Sequence, residues 1–244
     1  MSLPDTLQSL GWNKTAQGLD EFIAQAVRDA LTPRAVVEHV ATLELDDRRT
    51  RSFDYRLRKS RLGRIAAIAD FDWNHPRSID RARIDEAFTL RFIHEGGAVI
   101  FLGNTGTGKT HLAKALVERA VTQGHKALFA DAHALCLDLA RAESTSALEC
   151  RLRYYTRPSL LCIDEIARQQ IDIRRLDLLY ELVRRRYEAR RAVVVTAEPQ
   201  FSQWPQSMPS SAATAALIDR LVHRAVVIHI DADSYRQKQA AERR

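Results

Sequence analysis

Apolar and polar positions follow two different patterns along this chain of 244 residues. Before residue 65 the apolar side chains recur every three or four positions, as Leu19, Phe22, Ile23 and Val27 do, and this spacing predicts amphipathic helices. A second long helix is predicted to follow Thr32, whose side chain suits an N-cap, because the next residue is a proline. We therefore expect an antiparallel helical hairpin in this segment.

The pattern changes after residue 90, where short continuous apolar runs alternate with amphipathic segments. The predicted strands are GAVIFLG, KALFAD, SLLCIDEI, AVVVTA and VVIHI. Continuous apolar strands that are separated by helices indicate a parallel sheet with both faces covered. The predicted fold is therefore α/β, with a parallel five-stranded sheet preceded by a small all-helical domain. In the connector, residues 66–90, a short helix is predicted with Ser78 as its cap.

Composition is typical of a soluble globular protein, with 45% hydrophobic and 28% charged residues. No apolar run reaches the roughly 18 residues that a membrane span requires, and the N-terminus lacks a signal-peptide pattern. Cys136, Cys150 and Cys162 form no CxxC pair, which argues against a disulfide framework or a zinc site. We expect a cytoplasmic protein with no membrane partner.

The stretch FLGNTGTGKTHL fits G-x-x-x-x-G-K-[ST], a loop that holds nucleotide phosphates between a strand and a helix. Its glycines let backbone N–H groups converge on phosphate oxygens, Lys109 can reach the β- and γ-phosphates, and the Thr110 hydroxyl suits Mg²⁺. A chance match in a glycine-rich turn is the alternative. The predicted nucleotide-binding residues are Gly103, Asn104, Thr105, Gly106, Thr107, Gly108, Lys109, Thr110 and His111.

A second motif lies 55 residues after Lys109, where the apolar run LLCIDE ends in two acids. Asp164 is predicted to hold Mg²⁺ through water, and Glu165 to act as the general base that activates water against the γ-phosphate. The alternative is a buried strand with a solvated acidic end. Together the two motifs predict ATP and Mg²⁺ as ligands and hydrolysis by water as the reaction.

Other nucleotide-binding classes receive less support from the sequence. The run VVVTAEP carries no guanine-reading Asn-Lys-x-Asp motif, and no arginine-rich kinase lid is evident. An ATPase of the AAA+ or RecA-like kind remains. In ALIDRLVHRAVVIHI, Arg220 is a candidate finger for the γ-phosphate of a neighbouring subunit, and Arg224 is a weaker candidate. Local pairing of Arg220 with Asp219 or Glu165 is the alternative.

Four segments together resemble the IstB family: GNTGTGKTHLAKAL, LLCIDEI, RRRYEARRAVVVTAEPQFSQWP and LIDRLVHRAVVIHI. This family comprises AAA+ helper ATPases of bacterial insertion sequences, related to the helicase loader DnaC and to DnaA. The resemblance covers nearly the whole chain and implies an AAA+ P-loop core. It also implies an ATP-dependent homo-oligomer that remodels duplex DNA, mostly without sequence specificity, and that cooperates with a partner transposase. A DnaC-like replicative helicase loader is the alternative function.

The resemblance also implies roles for individual residues. Asp164 and Glu165 become the Mg²⁺ ligand and the base, and Arg220 becomes a finger that acts in trans. The sensor position falls at the end of the strand VVVTAE, where Ala197 and Glu198 depart from the serine and amide that are common in the family. The connector is expected to lie over the adenine, where Phe71 and its neighbour Trp73 would stack, or alternatively pack.

Basic residues are concentrated between positions 48 and 64, where one acid interrupts eight of them. On a helix they suit sequence-independent contacts with DNA phosphates, and a solvated helix face is the alternative. The candidates are Arg48, Arg49, Arg51, Arg56, Arg58, Lys59, Arg61 and Arg64.

The expected domain organisation follows from these patterns. It comprises a helical DNA-binding or oligomerisation domain at 1–65, a nucleotide-contacting linker at 66–90, an AAA+ ATPase domain at 91–233 and a basic tail at 234–244, without a C-terminal lid domain.

Overall fold

The computed structural model describes residues 2–63, 67–198, 200–209 and 212–235. The chain divides into two compact units, one up to Tyr55 and the other from Arg56 onward. Of the described residues, no helix is both long enough and apolar enough to cross a membrane.

The first unit is helical and contains α1 (Leu3–Ser9), α2 (Asn13–Arg28) and most of α3 (Pro33–Lys59). The predicted start of α3 is confirmed, because the backbone N–H of Ala35 donates to Thr32 Oγ1 at 3.3 Å. The expected antiparallel hairpin is confirmed for α2 and α3, because the backbone N–H of Thr15 donates to Glu44 at 2.8 Å and the rings of Phe22 and His39 stack with centroids 4.3 Å apart. The first predicted helix, however, is divided into α1 and α2. Gly11 takes a left-handed conformation with φ of +78°, which only glycine adopts at little cost, and it separates α1 from α2.

The second unit is built on a six-stranded sheet in the order β1-β6-β2-β5-β4-β3. Its five longer strands are all parallel neighbours, as predicted. The strands are β1 (Ser78–Ile79), β2 (Ala98–Gly103), β3 (Ala127–Asp131), β4 (Leu160–Ile166), β5 (Ala192–Ala197) and β6 (Ala225–Asp231).

The sixth strand, β1, corrects the prediction for the connector. Ser78 does not cap a helix; it lies in β1 and pairs with Asp231, antiparallel to β6. The helix begins three residues later, and Asp80 caps it by accepting the backbone N–H of Arg83 at 3.1 Å. An aspartate competes well with a serine as an N-cap, so the pattern misplaced the start of this helix.

The remaining helices of this unit are α4 (Arg81–Phe88), α5 (Arg91–Glu95), α6 (Lys109–Thr122), α7 (Ala132–Ala140), α8 (Thr145–Thr156), α9 (Ile173–Glu188), α10 (Trp204–Ser207) and α11 (Ala212–Val222). The sequence interpretation missed α8. Its start is capped by Ser144, which accepts the backbone N–H of Ala147 at 3.1 Å. Leu148, Leu152 and Tyr155 share one face of this helix at helical spacing and pack on or within the core.

The two faces of the sheet are covered by different helices. Ile100 and Leu102 of β2 belong to a core cluster that also contains buried residues of α7, α8, α9 and α11. Val99 and Phe101 point to the opposite face, because side chains alternate along a strand. Helix α6 packs on the sheet with Leu112, among other residues, fully buried. Because the main strands are parallel, the ends of β2, β4 and β5 meet at one edge of the sheet.

Candidate functional site

A cleft of about 530 Å³ opens at the edge where these parallel strands end. Ligands of open α/β sheets bind at this edge, outside the carboxyl ends of the strands. Its walls come from the loop after β2, the ends of β4 and β5, the connector and the segment after β6. The cleft is lined by Asp70, Phe71, Asp72, His75, Thr105, Gly106, Thr107, Gly108, Lys109, Thr110, His111, Lys114, Glu165, Arg168, Glu198 and Tyr235.

The glycine-rich loop connects β2 directly to the first turn of α6. Gly108 has φ of +93°, and a Cβ at this position would lie 2.6 Å from Cε2 of Phe71, so glycine is required for both conformation and space. Lys109 Nζ donates to the carbonyls of Gly103 at 2.7 Å and Asn104 at 2.6 Å. Burial lowers the pKa of Lys109, while the nearby carboxylates of Glu198, Glu165 and Asp164 act to raise it.

The loop and the acidic strand end meet through a single side-chain contact. Thr110 Oγ1 donates to the carboxylate of Asp164, at 3.0 Å to Oδ1 and 3.2 Å to Oδ2. Asp164 is buried, and this burial raises its pKa even though hydrogen bonds from Thr196 and Thr110 act to lower it. The structure therefore places a hydroxyl and a carboxylate side by side at the start of α6.

This pair of oxygen donors fits Mg²⁺, which prefers oxygen ligands and usually takes one or two from protein beside substrate phosphates. Among the residues that the structure describes, no group of three or more His, Cys, Asp or Glu could hold a metal by itself. Such an arrangement suits an ion that arrives with a nucleotide. Thr110 and Asp164 are the residues that would hold it.

Glu165 lies at an irregularity in β4. Its φ is +58°, and pairing with β5 is interrupted between Ile163 and Ile166. Its backbone N–H donates to Thr196 Oγ1 at 2.8 Å, and the carboxylate pairs with the guanidinium of Arg168. The irregularity brings Glu165 to the wall of the cleft.

Arg168 and Thr196 lie beside Glu165 and were not among the named catalytic, nucleotide-binding or metal-binding candidates, although Thr196 lies in the strand end that the resemblance gave as the sensor position. Arg168 lines the cleft and follows Glu165 by three positions, in a turn that includes the left-handed Ala167. Thr196 is fully buried and contacts Asp164 and Glu165. Glu198, two residues later, lines the cleft. The sequence feature that could have identified Thr196 is a hydroxyl residue near the end of one predicted strand, since another predicted strand ends in two acids.

The aromatic residues of the connector divide between two environments. Phe71 lines the cleft and is buried against Gly108, with ring centroids 5.6 Å from His111 and 4.8 Å from Trp73. Trp73 is covered by the guanidinium of Arg81, 3.6 Å from its ring centroid, and is absent from the cleft wall among the described residues. Trp73 is therefore a packing residue, whereas Phe71 packs against Gly108 and also faces the cleft.

Arg220 lies far from the cleft of its own chain. It is in the last turn of α11, just before β6, whose first residue Ala225 pairs with Ala98 at the start of β2. The glycine loop begins five residues further along β2, roughly 17 Å away. Arg220 Nη1 donates to the carbonyl of Ala216 at 3.2 Å, and its guanidinium lies 5.1 Å from the ring centroid of Tyr180.

Neither local ion pair that the sequence allowed for Arg220 forms among the residues that the structure describes. The weaker candidate, Arg224, has its guanidinium 5.1 Å from the ring centroid of Tyr187. Both arginines line a small depression beside Gly96 and Gly97 at the start of β2.

The basic residues of α3 and the following turn differ in their surroundings. Arg49 pairs with Asp46 at 3.1 Å and Arg51 with Asp47 at 2.7 Å, both on the surface of the first unit. Arg56 is half-buried and donates to the carbonyl of Val121 at 3.2 Å. The exposed members are Arg48, Arg49, Arg51, Arg58, Lys59 and Arg61, and Arg64 lies outside the described residues.

A second basic cluster, on α9, is neutralised or buried. Arg184 pairs with Glu181 and Glu188, and Arg185 pairs with Glu149 and Glu181, all at 2.7 or 2.8 Å. Arg186 is fully buried and donates to backbone carbonyls. These three arginines are therefore engaged within the chain.

A family model described as IstB-like ATP binding protein matches residues 5–243, almost the whole chain. This chain belongs to the IstB-like ATP-binding protein family. A relative from Geobacillus stearothermophilus, named as a putative ATP-binding protein of insertion sequence IS5376, is 33% identical over 80% of this chain and 78% of its own length. The resemblance to the IstB family is thus confirmed.

Solved structures support the fold of this IstB-like chain. AMPPCP-bound DnaA from Aquifex aeolicus aligns with a TM-score of 0.58 and 16% identity, over 75% of this chain and 56% of that one. The chain thus spans about half the length of that DnaA structure. The DnaC helicase loader aligns with a TM-score of 0.55 and 16% identity, over 68% of this chain and 97% of that one. At this identity the comparison shows an α/β P-loop fold like that of these AAA+ proteins.

Proposed function

We propose that this IstB-like chain is an ATP-dependent transposition helper that self-associates on duplex DNA and cooperates with a partner transposase in target selection and integration. One observation carries the proposal: Thr110 Oγ1 lies 3.0 Å from Asp164 Oδ1, so the glycine loop and the acidic strand end form one site. The insertion-sequence relatives supply the biological context.

The geometry supports hydrolysis of ATP by water. The loop's backbone N–H groups and the start of α6 would bind the phosphates, and Lys109 would exchange the carbonyls of Gly103 and Asn104 for β- and γ-phosphate oxygens. Mg²⁺, held by Thr110 and Asp164, would offset the charge that develops on the phosphates. Glu165 would accept a proton from the attacking water.

We further propose that each site is completed by Arg220 of a neighbouring subunit. In its own chain Arg220 lies at the opposite edge of the sheet from the glycine loop, so it cannot reach its own cleft. A cation that acts in trans on the γ-phosphate makes hydrolysis depend on the association of two subunits.

Mixing two inactive variants tests both proposals. We expect Glu165→Gln and Arg220→Ala each to lower the rate of ATP hydrolysis at least tenfold. A mixture should recover activity, because the Arg220→Ala subunit still supplies Glu165 and the Glu165→Gln subunit still supplies Arg220. Lys109→Ala mixed with Glu165→Gln is the negative control, because both residues belong to the same subunit's half of the site and no complete site can form. If the single Arg220 variant were fully active as an oligomer, Arg220 would not be the finger.

DNA binding is proposed through the exposed basic residues of α3 and its end. Replacing Arg58, Lys59 and Arg61 with glutamine should weaken binding to plain duplex DNA and flatten its salt dependence, by about 0.9 in the log–log slope for each phosphate that is no longer neutralised. The matched control is Arg184→Gln, because Arg184 is already paired with Glu181 and Glu188. An unchanged slope would show that DNA binds at other residues.

A second function is favoured by the fold similarity to the DnaC helicase loader. Under this alternative the main partner is a replicative helicase and the helical N-terminal unit docks on it. The discriminating experiment is a strand-transfer reaction with a transposase encoded beside this gene, with and without this protein and ATP. Stimulation and altered target choice would support the transposition helper; helicase loading without any such effect would support the alternative.

A further inference from the structure

The segment after β6 crosses directly over the glycine loop. The backbone N–H of Tyr235 donates to the carbonyl of Gly106 at 3.0 Å. At Gly106, a Cβ would lie 2.4 Å from Oγ of Ser234, so the absence of a side chain allows the two segments to approach. The segment therefore reaches the wall of the cleft through Tyr235, which no sequence motif had indicated.

The connector holds this segment from the other side. His75 Nε2 donates to the carbonyl of Asp233 at 2.8 Å, and Arg77 pairs with the Asp233 carboxylate at 2.6 Å. The backbone N–H of Arg77 donates to the carbonyl of Asp231 at 2.8 Å. These contacts bring the rings of His75 and Tyr235 together, with centroids 4.9 Å apart and planes at 75°.

The two rings line the same cleft as the glycine loop, and Tyr235 carries no cationic group suited to phosphates. Lys109, Thr110 and Glu165 also line this cleft and supply the groups that suit the phosphates of a nucleotide. His75 and Tyr235 line the same cleft and are only half-buried. Of the two aromatic candidates of the connector, Trp73 is covered by Arg81, and Phe71 lines the cleft but is buried against Gly108.

We infer that Tyr235 and His75 form the base-binding wall of the nucleotide site, with the ring of Tyr235 stacking on the purine. This inference rests on the proposed binding of ATP and adds the residues that hold the base. Stacking is a contact with the π face of the base, and adenine and guanine both have this face. The wall therefore contributes affinity for purine nucleotides and little selectivity between them.

The test compares ATP with inorganic tripolyphosphate, which carries the phosphates but no base. Tyr235→Ala should weaken ATP binding roughly tenfold, the scale of one aromatic–base stacking contact, and should weaken GTP binding by a similar factor. Tripolyphosphate binding should stay unchanged, which also shows that the variant is folded. Tyr235→Phe keeps the ring and should bind ATP like the wild type. Tyr154→Ala, an exposed tyrosine on α8, is the matched control.

A second measurement uses Tyr235→Trp. Its emission, relative to the wild-type background of three tryptophans, should change on addition of ATP and not on addition of tripolyphosphate. Equal losses of ATP and tripolyphosphate binding in Tyr235→Ala, or no loss of either, would overturn the inference. A different result would contradict the proposed binding of ATP itself. In that case the wild type would bind neither ATP nor tripolyphosphate, or Lys109→Ala would bind both as well as the wild type does.

Discussion

Thr196 Oγ1 donates a hydrogen bond of 2.6 Å to Asp164 Oδ1, from a fully buried position in β5. The same oxygen accepts the backbone N–H of Glu165 at 2.8 Å. One hydroxyl thus fixes the proposed Mg²⁺ ligand and the left-handed backbone of the proposed base. This links the end of β5 to the proposed catalysis even though Ala197 and Glu198 depart from the family pattern.

Replacing Thr196 with valine should therefore impair hydrolysis more than binding. Valine keeps the shape but removes the hydroxyl, so kcat should fall about 10- to 100-fold, as when a supporting hydrogen bond of a metal ligand is removed, with KM for ATP nearly unchanged. Stability should fall by about 1–3 kcal/mol, because the Glu165 N–H loses its acceptor. Thr196→Ser should restore both. Steady-state kinetics and thermal unfolding check this, and a valine variant with normal kcat would contradict it.

Asp164→Asn should stabilise the ligand-free protein while removing the Mg²⁺ dependence of nucleotide binding. Burial raises the pKa of Asp164, so the folded state holds its ionised form less favourably than the unfolded state does. The amide oxygen of asparagine can still accept from Thr110 and Thr196. We expect a rise in the unfolding midpoint near neutral pH, measured by thermal unfolding of the two proteins without nucleotide.

The pH dependence of that stabilisation has a defined sign. A carboxyl whose folded pKa is raised lowers stability at pH values above the folded pKa, and this effect disappears as the pH falls toward the unfolded value of 3.8. The difference in midpoint between Asp164→Asn and wild type should therefore shrink with acidification. A difference that stayed constant or grew toward low pH would show that Asp164 is not the group responsible.

Arg168→Ala should raise basal ATP hydrolysis in the absence of DNA. Arg168 pairs with the Glu165 carboxylate, and this ion pair competes with the attacking water for the same oxygens. Its removal should increase the rate by a factor of about two to five, the scale of one exposed ion pair. Arg174→Ala, which changes an exposed arginine on α9, is the control. A fall in kcat would instead indicate that Arg168 contacts the phosphates or stabilises the transition state.

Arg186→Met should destabilise the α/β core without a direct effect on the site. Arg186 donates to the carbonyls of five residues at the ends of α8, β4 and β5: Tyr155, Thr156, Pro158, Ser159 and Ala192. Burial lowers the pKa of Arg186, and these acceptors offset that cost. Removing these hydrogen bonds should reduce stability by roughly 2–4 kcal/mol.

Arg184→Met, two positions earlier in the chain, is the matched control for this prediction. Arg184 makes partly exposed ion pairs, which contribute little to stability. Chemical denaturation of both variants should separate them clearly. Equal unfolding midpoints would show that the buried carbonyls find other donors.

The elements that were predicted correctly from the sequence are those set by local physics. Strands β2, β4 and β5 read as continuous apolar runs because both of their faces are buried, and the glycine loop between β2 and α6 requires conformations such as that of Gly108. The start of α3 followed from Thr32 and the proline after it. Helix α8 and strand β1 were missed, and a strand as short as β1 is stabilised by its neighbour rather than by its own pattern.

The phosphate loop, the two acids at the end of β4 and the five parallel strands could all be read from the amino-acid sequence, because each depends on residues close together in the chain. The three-dimensional fold was needed to show that Thr196 contacts both acids and that Arg186 is buried while Arg184 and Arg185 form ion pairs. It was also needed to show that Arg220 lies at the opposite edge of the sheet from the glycine loop. The contact between His75 and Asp233 spans 158 positions. Such contacts depend on strand order and register, which local hydrophobic patterns do not encode.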